Sequence, residues 1–294
     1  GCRFCAFYRR EGDPEGYVLT RGQIGAKIDE ARALGAVSVL LQGGMHPGLG
    51  IEYFEDLFRF IKAEHPIHLH ALSPPEVVHI AQVSGLDTAT ALSRLRDAGL
   101  GSLPGGGAEI LSDRIRREVS PRKCSAGQWL RVMGEAHALG LRSSATMMFA
   151  VGESAEDRVE HLLRIREQQE ESGGFTAFIA WTFQPANTAM AGQLDRGAAE
   201  GAFDYLRTLA AARLVLDNVQ HIQASWVTQG AKVAQLALGF GADDFGSTMI
   251  EENVVAAAGI GFRMSEGQIR RAVTDAGYKP ERRDPLYSRL EQGG

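Results

Sequence analysis

Cysteine is scarce in this 294-residue chain, with three in all. That is too few to staple a scaffold through disulfides, and it fits a reducing, cytoplasmic setting. Long apolar runs are missing too. A membrane-spanning helix needs about 20 such residues, and runs such as Val254 to Phe262 reach about half of that. Positive charge is not in excess: 31 Lys and Arg against 36 Asp and Glu leave a net charge of −5. No basic field therefore recruits nucleic acid or an anionic membrane surface, and neither is expected as a partner. Repeats, low-complexity tracts, linkers and a signal-peptide pattern are also lacking.

What is present is 44% hydrophobic residues in a recurring order. A short apolar run comes first, then a Gly- or Pro-containing loop, then a longer segment of helical period. The runs are Val37 to Gln42, Ile67 to Ser73, Leu100 to Pro104, Ser144 to Phe149, Ala177 to Gln184, Gln220 to Trp226 and Asp243 to Met249. Between them, Ile24, Ile28, Ala31 and Leu34 share one helical face, as do Phe54, Leu57, Phe58 and Ile61. Thr20 and Ser125 are good helix starters, and Gly35 and Gly140 are placed as helix stops. This alternation predicts an α/β fold with a parallel sheet, best matched by a (β/α)8 TIM-type barrel whose first strand precedes Gly1. One domain is expected over 1–294, with 265–294 forming a C-terminal helix and strap.

Barrel active sites lie at the C-terminal strand ends. Here those ends read Gln42-Gly43-Gly44, Ser73-Pro74-Pro75-Glu76, Gly105-Gly106-Gly107-Ala108-Glu109, Gln184-Pro185 and Ser225-Trp226. His68 and His70 share a strand face, as do Thr182 with Gln184 and Gln223 with Ser225, which predicts a polar lumen unless some of them point outward. The glycine loops read either as tight turns or as backbone able to approach a ligand. Glu109 opens a helical segment, where a carboxylate is favoured in any case. Cys2-Arg3-Phe4-Cys5 fits a redox pair, a zinc site or an iron–sulfur site, and the spacing alone does not choose among them. Cys124, without a partner pattern, reads as incidental. His68-x-His70 with Asp243-Asp244 also suggests a metal-dependent barrel hydrolase, and a catalytically silent binding barrel is a third possibility.

Cys2-Arg3-Phe4-Cys5 resembles the second half of the radical S-adenosylmethionine pattern Cys-x3-Cys-x-aromatic-Cys. The likeness continues through Gln42-Gly43-Gly44-Met45-His46-Pro47, Ser73-Pro74-Pro75-Glu76 and Pro104 to Leu111, and it covers essentially residues 1 to 288. These blocks resemble the branch holding the menaquinone futalosine-pathway enzymes and the deazaflavin synthase subunits. Ala224 to Gly230 and Asp244 to Asn253 resemble its cyclic dehypoxanthine futalosine synthase family most. The pattern's first cysteine would fall four residues before Cys2, so the chain is expected to be a fragment that holds a cluster poorly and lacks activity as it stands. Ala150-Val151-Gly152-Glu153 departs from a Gly-His-x-Glu pattern and leaves Glu153 alone to carry over.

The resemblance implies a [4Fe–4S] cluster and S-adenosylmethionine as cofactors, with a flavodoxin-, ferredoxin- or reductase-type electron donor. It implies a cyclase in which a 5′-deoxyadenosyl radical takes hydrogen from C4′ of the ribose of dehypoxanthine futalosine, followed by ring closure and loss of a proton and an electron. By the same resemblance Cys2 and Cys5 are cluster ligands, and Phe4, Gly43, Gly44, Ser73 and Glu109 meet the cofactor. Strand parity nominates His70 and Gln184 for the substrate, and the candidate bases are His46, His70 and Glu153. Aminofutalosine synthase and deazaflavin synthase chemistry are the alternatives within the branch.

Overall fold

Six of the seven apolar runs form strands: β1 (Ser38–Leu41), β2 (His68–Ala71), β3 (Ser102–Leu103), β4 (Arg142–Phe149), β5 (Phe175–Thr182) and β6 (His221–Gln223). The computed structural model describes residues 1–193 and 201–290. The strands lie in one sheet in the order β1-β2-β3-β4-β5-β6. Parallel registers pair Ser38 with His68, His70 with Ser102, Leu103 with Ser143 and Ala177 with His221. Helices fill the crossovers, including Ile51–Glu64, Thr88–Ala98, Ala126–Ala138, Ala155–Ser172 and Ala202–Val215. Sequential parallel strands joined by helices are the winding of a TIM-type barrel.

The seventh run is a correction. Asp243 to Met249 contributes only an isolated parallel bridge, Gln223 to Asp244. Gly246 at φ 81° and Met249 at φ 52° break the extended path, and the Asp244 carboxylate accepts from the Gly246 N–H at 2.5 Å. An apolar run containing a residue with a positive φ does not continue as a strand.

Local chemistry explains the helix boundaries. Thr20 and Gln23 form a capping box before Arg21–Ala33, and Ser154 with Asp157 forms one before Ala155–Ser172. Gly35 and Gly140 take φ of 87° and 80°, as helix stops do. The face predicted for the first helix is only partly used: Ile28 is buried, while Leu34 is exposed.

The chain divides into two compact units by contact. The first comprises 1–8, 108–126 and 144–281, and its core holds Phe149, Phe175, Phe178, Tyr205 and Trp226. The second comprises 9–107, 127–143 and 282 onward, with Ile51, Phe58, Ile61, Leu69, Leu72 and Trp129 buried. Burying one such side chain contributes about 1.5–3 kcal/mol. Glu266–Asp275 is the last helix among the described residues, and an antiparallel bridge from Arg283 to Arg289 follows. No helix among the described residues is long and apolar enough to cross a membrane.

Phe58 is fully buried, so Phe58→Ala is expected to cost about 3–5 kcal/mol, read as a lowered urea midpoint at unchanged slope. Acid provides a second test. Burial pushes His70 and His137 down to about 4 and His161 down to about 3 from 6.5. Between these values and 6.5 the unfolded chain binds more protons than the folded one, so stability present above 6.5 is lost as pH falls. Melting temperature is expected to drop from pH 6.5 to pH 4, and His161→Gln is expected to flatten that slope.

Candidate active site

In the first unit the site is built around the N-terminal turn. The Cys5 N–H donates to the Cys2 carbonyl at 3.2 Å, so both thiols hang from one turn. Arg3 anchors it to helix Asp113–Val119 through its N–H to the Val119 carbonyl at 2.9 Å and its guanidinium to the Glu118 carbonyl at 3.1 Å. Cys2 is 8% exposed and Cys5 half-buried. Burial pushes the Cys2 thiol up, and the Lys123 ammonium offsets only part of that rise.

Lys123 is the centre of charge here. Its ammonium sits 2.7 Å from Glu109 Oε1 and 5.1 Å from the Phe4 ring centroid. Burial alone would lower its pKa, but the negative charge of Glu109 beside it wins and holds it high, so it stays charged. Arg116, buried, lies 3.7 Å from Glu109 Oε2 and donates to the carbonyls of Ala108 and Cys124. Glu109 itself has φ 42°, a strained backbone held by these two cations. Its Oε2 is buried with no hydrogen-bond partner. A buried carboxylate oxygen without a donor is costly, and it is suited to the amino or hydroxyl group of a ligand. Cys124 is buried beside Arg116, its pKa raised by burial, as befits an unreactive thiol.

The same unit holds the ends of β4 and β5. Glu153 accepts from the Ala150 and Val151 N–H groups, each at 2.7 Å, and from Arg158 at 2.8 Å. Its side chain is 1% exposed. The carboxylate thus clamps the turn in which Ala150 has φ 64°, and its oxygens are committed. Gln184 donates its amide to the Thr182 carbonyl and hydroxyl, both at 3.0 Å, and Gln229 reaches the same hydroxyl at 2.7 Å. Ala150, Thr182, Gln184, Thr228 and Gln229 line one cleft. Gln229 was not singled out from sequence, although it lies within the Ala224 to Gly230 block. Asp243 is tied to His221 at 2.7 Å and Arg213 at 2.8 Å.

The second unit holds the ends of β1, β2 and β3. Glu76, buried, accepts from the Gly43 N–H at 2.9 Å and from the Ser73 N–H and hydroxyl at 2.7 and 2.5 Å. Ser73 therefore spends its proton on the capping box of helix Pro74–Val83. Glu76 was missed as a site residue; the Ser-x-x-Glu spacing before an apolar run was its signal. A Cβ on Gly43 or Gly44 would meet nothing within 4 Å, so neither is small for the protein's own packing, which leaves room for a ligand. A Cβ on Gly106 would lie 2.6 Å from Gln42, and one on Gly107 2.4 Å from Pro75, so those two glycines close a loop.

His70 and His68 each contact the Ser102 hydroxyl at 2.7 Å. Burial lowers His70 to about 4. His46 is exposed, accepts the Gly48 N–H at 3.0 Å and shares no hydrogen bond with His70. Among the described residues no group of three or more His, Cys, Asp or Glu is placed to hold a metal ion.

Comparison with known proteins gives this geometry a family. Residues 1–165 match the radical SAM superfamily, and residues 172–293 match the CofH/MqnC C-terminal region. The chain is 46% identical to a cyclic dehypoxanthine futalosine synthase of Halalkalibacterium halodurans, over 97% of its own length and 76% of that protein. It is 42% identical to the Streptomyces coelicolor protein of the same name, over 98% and 72%. A Methanothermobacter thermautotrophicus 5-amino-6-(D-ribitylamino)uracil–L-tyrosine 4-hydroxyphenyl transferase is 42% identical over 99% and 80%. Among solved structures, methylornithine synthase (PylB) superposes with a TM-score of 0.71 at 20% identity, over 96% of this chain and 79% of that one, and supports the fold. With its paired thiols on an N-terminal turn and its sequential parallel strands, the chain belongs to the radical SAM superfamily, in the branch of enzymes that carries the CofH/MqnC C-terminal region.

Proposed function

We propose that this enzyme closes dehypoxanthine futalosine to cyclic dehypoxanthine futalosine. The observation that carries the reading is identity of 46% and 42%, over 97% and 98% of this chain, to two bacterial proteins of that name. The alternative, coupling of tyrosine to a ribitylaminouracil, rests on 42% identity to the archaeal transferase.

The family's [4Fe–4S] cluster and S-adenosylmethionine, when bound, supply a 5′-deoxyadenosyl radical that takes hydrogen from carbon. Cys2 and Cys5 would provide two of the thiolates. The residues present suit that ligand set: two thiols on one turn beside a charged lysine, and an unpartnered Glu109 oxygen. Lys123 favours the Cys2 thiolate against its burial. Phe4 is fixed under Lys123 and offers a flat face to an adenine, while Gly43 and Gly44 leave open space for a close backbone approach. Ser73 acts by holding Glu76 and the Gly43 loop rather than by donating outward.

Closure onto an aromatic ring leaves a proton to remove, and His70 is the base assigned here. Its ring is neutral at working pH. Ser102 is its hydrogen-bond partner among the described residues. Glu153 and His46 are assigned loop-holding roles instead. Gln184, Gln229 and Thr182 present amide and hydroxyl groups without charge, which suits sugar hydroxyls. An external one-electron donor of flavodoxin or ferredoxin type is proposed as partner.

The full-length protein, reconstituted anaerobically with iron and sulfide and reduced, is expected to convert dehypoxanthine futalosine to the cyclic product, lighter by two hydrogens, with formation of 5′-deoxyadenosine. Coupling of tyrosine to the ribitylaminouracil in place of that product would reverse the assignment. Cys2→Ala and Cys5→Ala are each expected to lose bound iron, read by elemental analysis as well as by activity. His70→Ala is expected to lower cyclic product by about 10²-fold or more while S-adenosylmethionine cleavage persists; equal loss of both would remove His70 from the base role.

A further inference from the structure

We infer that His68, Ser102 and His70 form a directional proton relay that moves a proton from His70, near the C-terminal end of β2, to His68, at its start. His70 and Ser102 are register partners across β2 and β3, and His68 lies two residues earlier on the same face of the strand. The one hydroxyl lies 2.7 Å from His70 Nδ1 and 2.7 Å from His68 Nε2. A serine hydroxyl has a single proton. Between two neutral imidazoles it donates to one and accepts from the other, so the tautomers of the two rings are locked together.

Two further observations give the chain a direction. The Ser102 backbone also favours the protonated form of His70, in keeping with a donor N–H on Nδ1, the nitrogen that the Ser102 hydroxyl contacts. The sequence of bonds is then His70 Nδ1–H to Ser102 Oγ, and Ser102 Oγ–H to His68 Nε2. This leaves the lone pair of His70 Nε2 free to take a proton. The surrounding charges slope the same way. Desolvation disfavours charge on both rings, and beyond it His70 is opposed by His68 and Arg283, while His68 is favoured by Asp284 and opposed by Lys62. The ring of His68 is held against the backbone at Gly101, where a Cβ would lie 2.7 Å from its Cε1.

One transfer balances as follows. The carbon acid gives its proton to His70 Nε2 and keeps the bonding electrons. His70 gives its Nδ1 proton to Ser102 Oγ, and Ser102 gives its own proton to His68 Nε2. His70 and Ser102 end neutral, and His68 ends as imidazolium at the strand's other end. The source of that proton rests on the ring-closure reading; the polarity of the chain does not.

Long-range proton–nitrogen spectra of the full-length protein, labelled with 15N in histidine only, test the polarity without substrate. The expected result is a protonated Nδ1 and bare Nε2 on His70, with a bare Nε2 on His68. Ser102→Ala is expected to release both rings into mixed tautomers, and Ser102→Thr to keep the native pattern. A native His70 protonated at Nε2, or His70 nitrogen shifts unmoved by Ser102→Ala, would overturn the relay. In turnover, Ser102→Ala is expected to lower kcat for cyclic product by about tenfold, less than direct loss of a general base. KM and 5′-deoxyadenosine formation are expected to hold, with Ser102→Thr restoring kcat. Absence of cyclic product in the wild type would defeat the ring-closure reading alone, since the nitrogen shifts still decide the relay.

Discussion

Backbone N–H groups just past a buried parallel strand have neither a ladder partner nor water, and a buried carboxylate that accepts them is the device on which this structure depends. Glu76 ties the loop after β1 to the helix start after β2. Glu153 ties the turn after β4. Glu109, after β3, instead holds two cations, and its own backbone is strained to do so. Leu72 and Ala150 carry positive φ directly after β2 and β4. Such conformations persist only where surrounding bonds over-determine them, and they gather where geometry serves chemistry.

Charge completes what the clamps begin. A buried thiol resists ionisation, yet Cys2 lies in the field of Lys123, whose own charge Glu109 sustains. Arg116 braces the same carboxylate from a buried position and is itself fixed by carbonyls. The result is a preorganised group of charges with one acceptor, Glu109 Oε2, left open. Loss of either cation from such a cluster would leave a buried negative charge uncompensated, a costly state in a medium of low dielectric. In the other unit His70 is held neutral by desolvation and oriented through Ser102.

Much of this was legible in the residues. Six apolar runs became strands because parallel strands covered by helices need continuous apolar side chains. The helix starter Thr20 and the glycine stops Gly35 and Gly140 marked boundaries because their chemistry acts within a few residues. The Asp243 to Met249 run misled because its composition hid two residues of positive φ. Glu153 looked like a base until its hydrogen bonds were visible, and Gln229 and Ser102 were unmarked because each acts on a residue remote in sequence.

Sequence by itself determined the alternation of strands and helices, the paired cysteines and the family, since these reside in local periodicity, spacing and long matched blocks. Tertiary structure alone decided which carboxylates are clamps and which retains an open oxygen. It also decided that one serine stands between two histidines. Those assignments depend on burial and on hydrogen bonds between residues tens of positions apart, and a hydrogen bond's direction is settled only when both partners are in place.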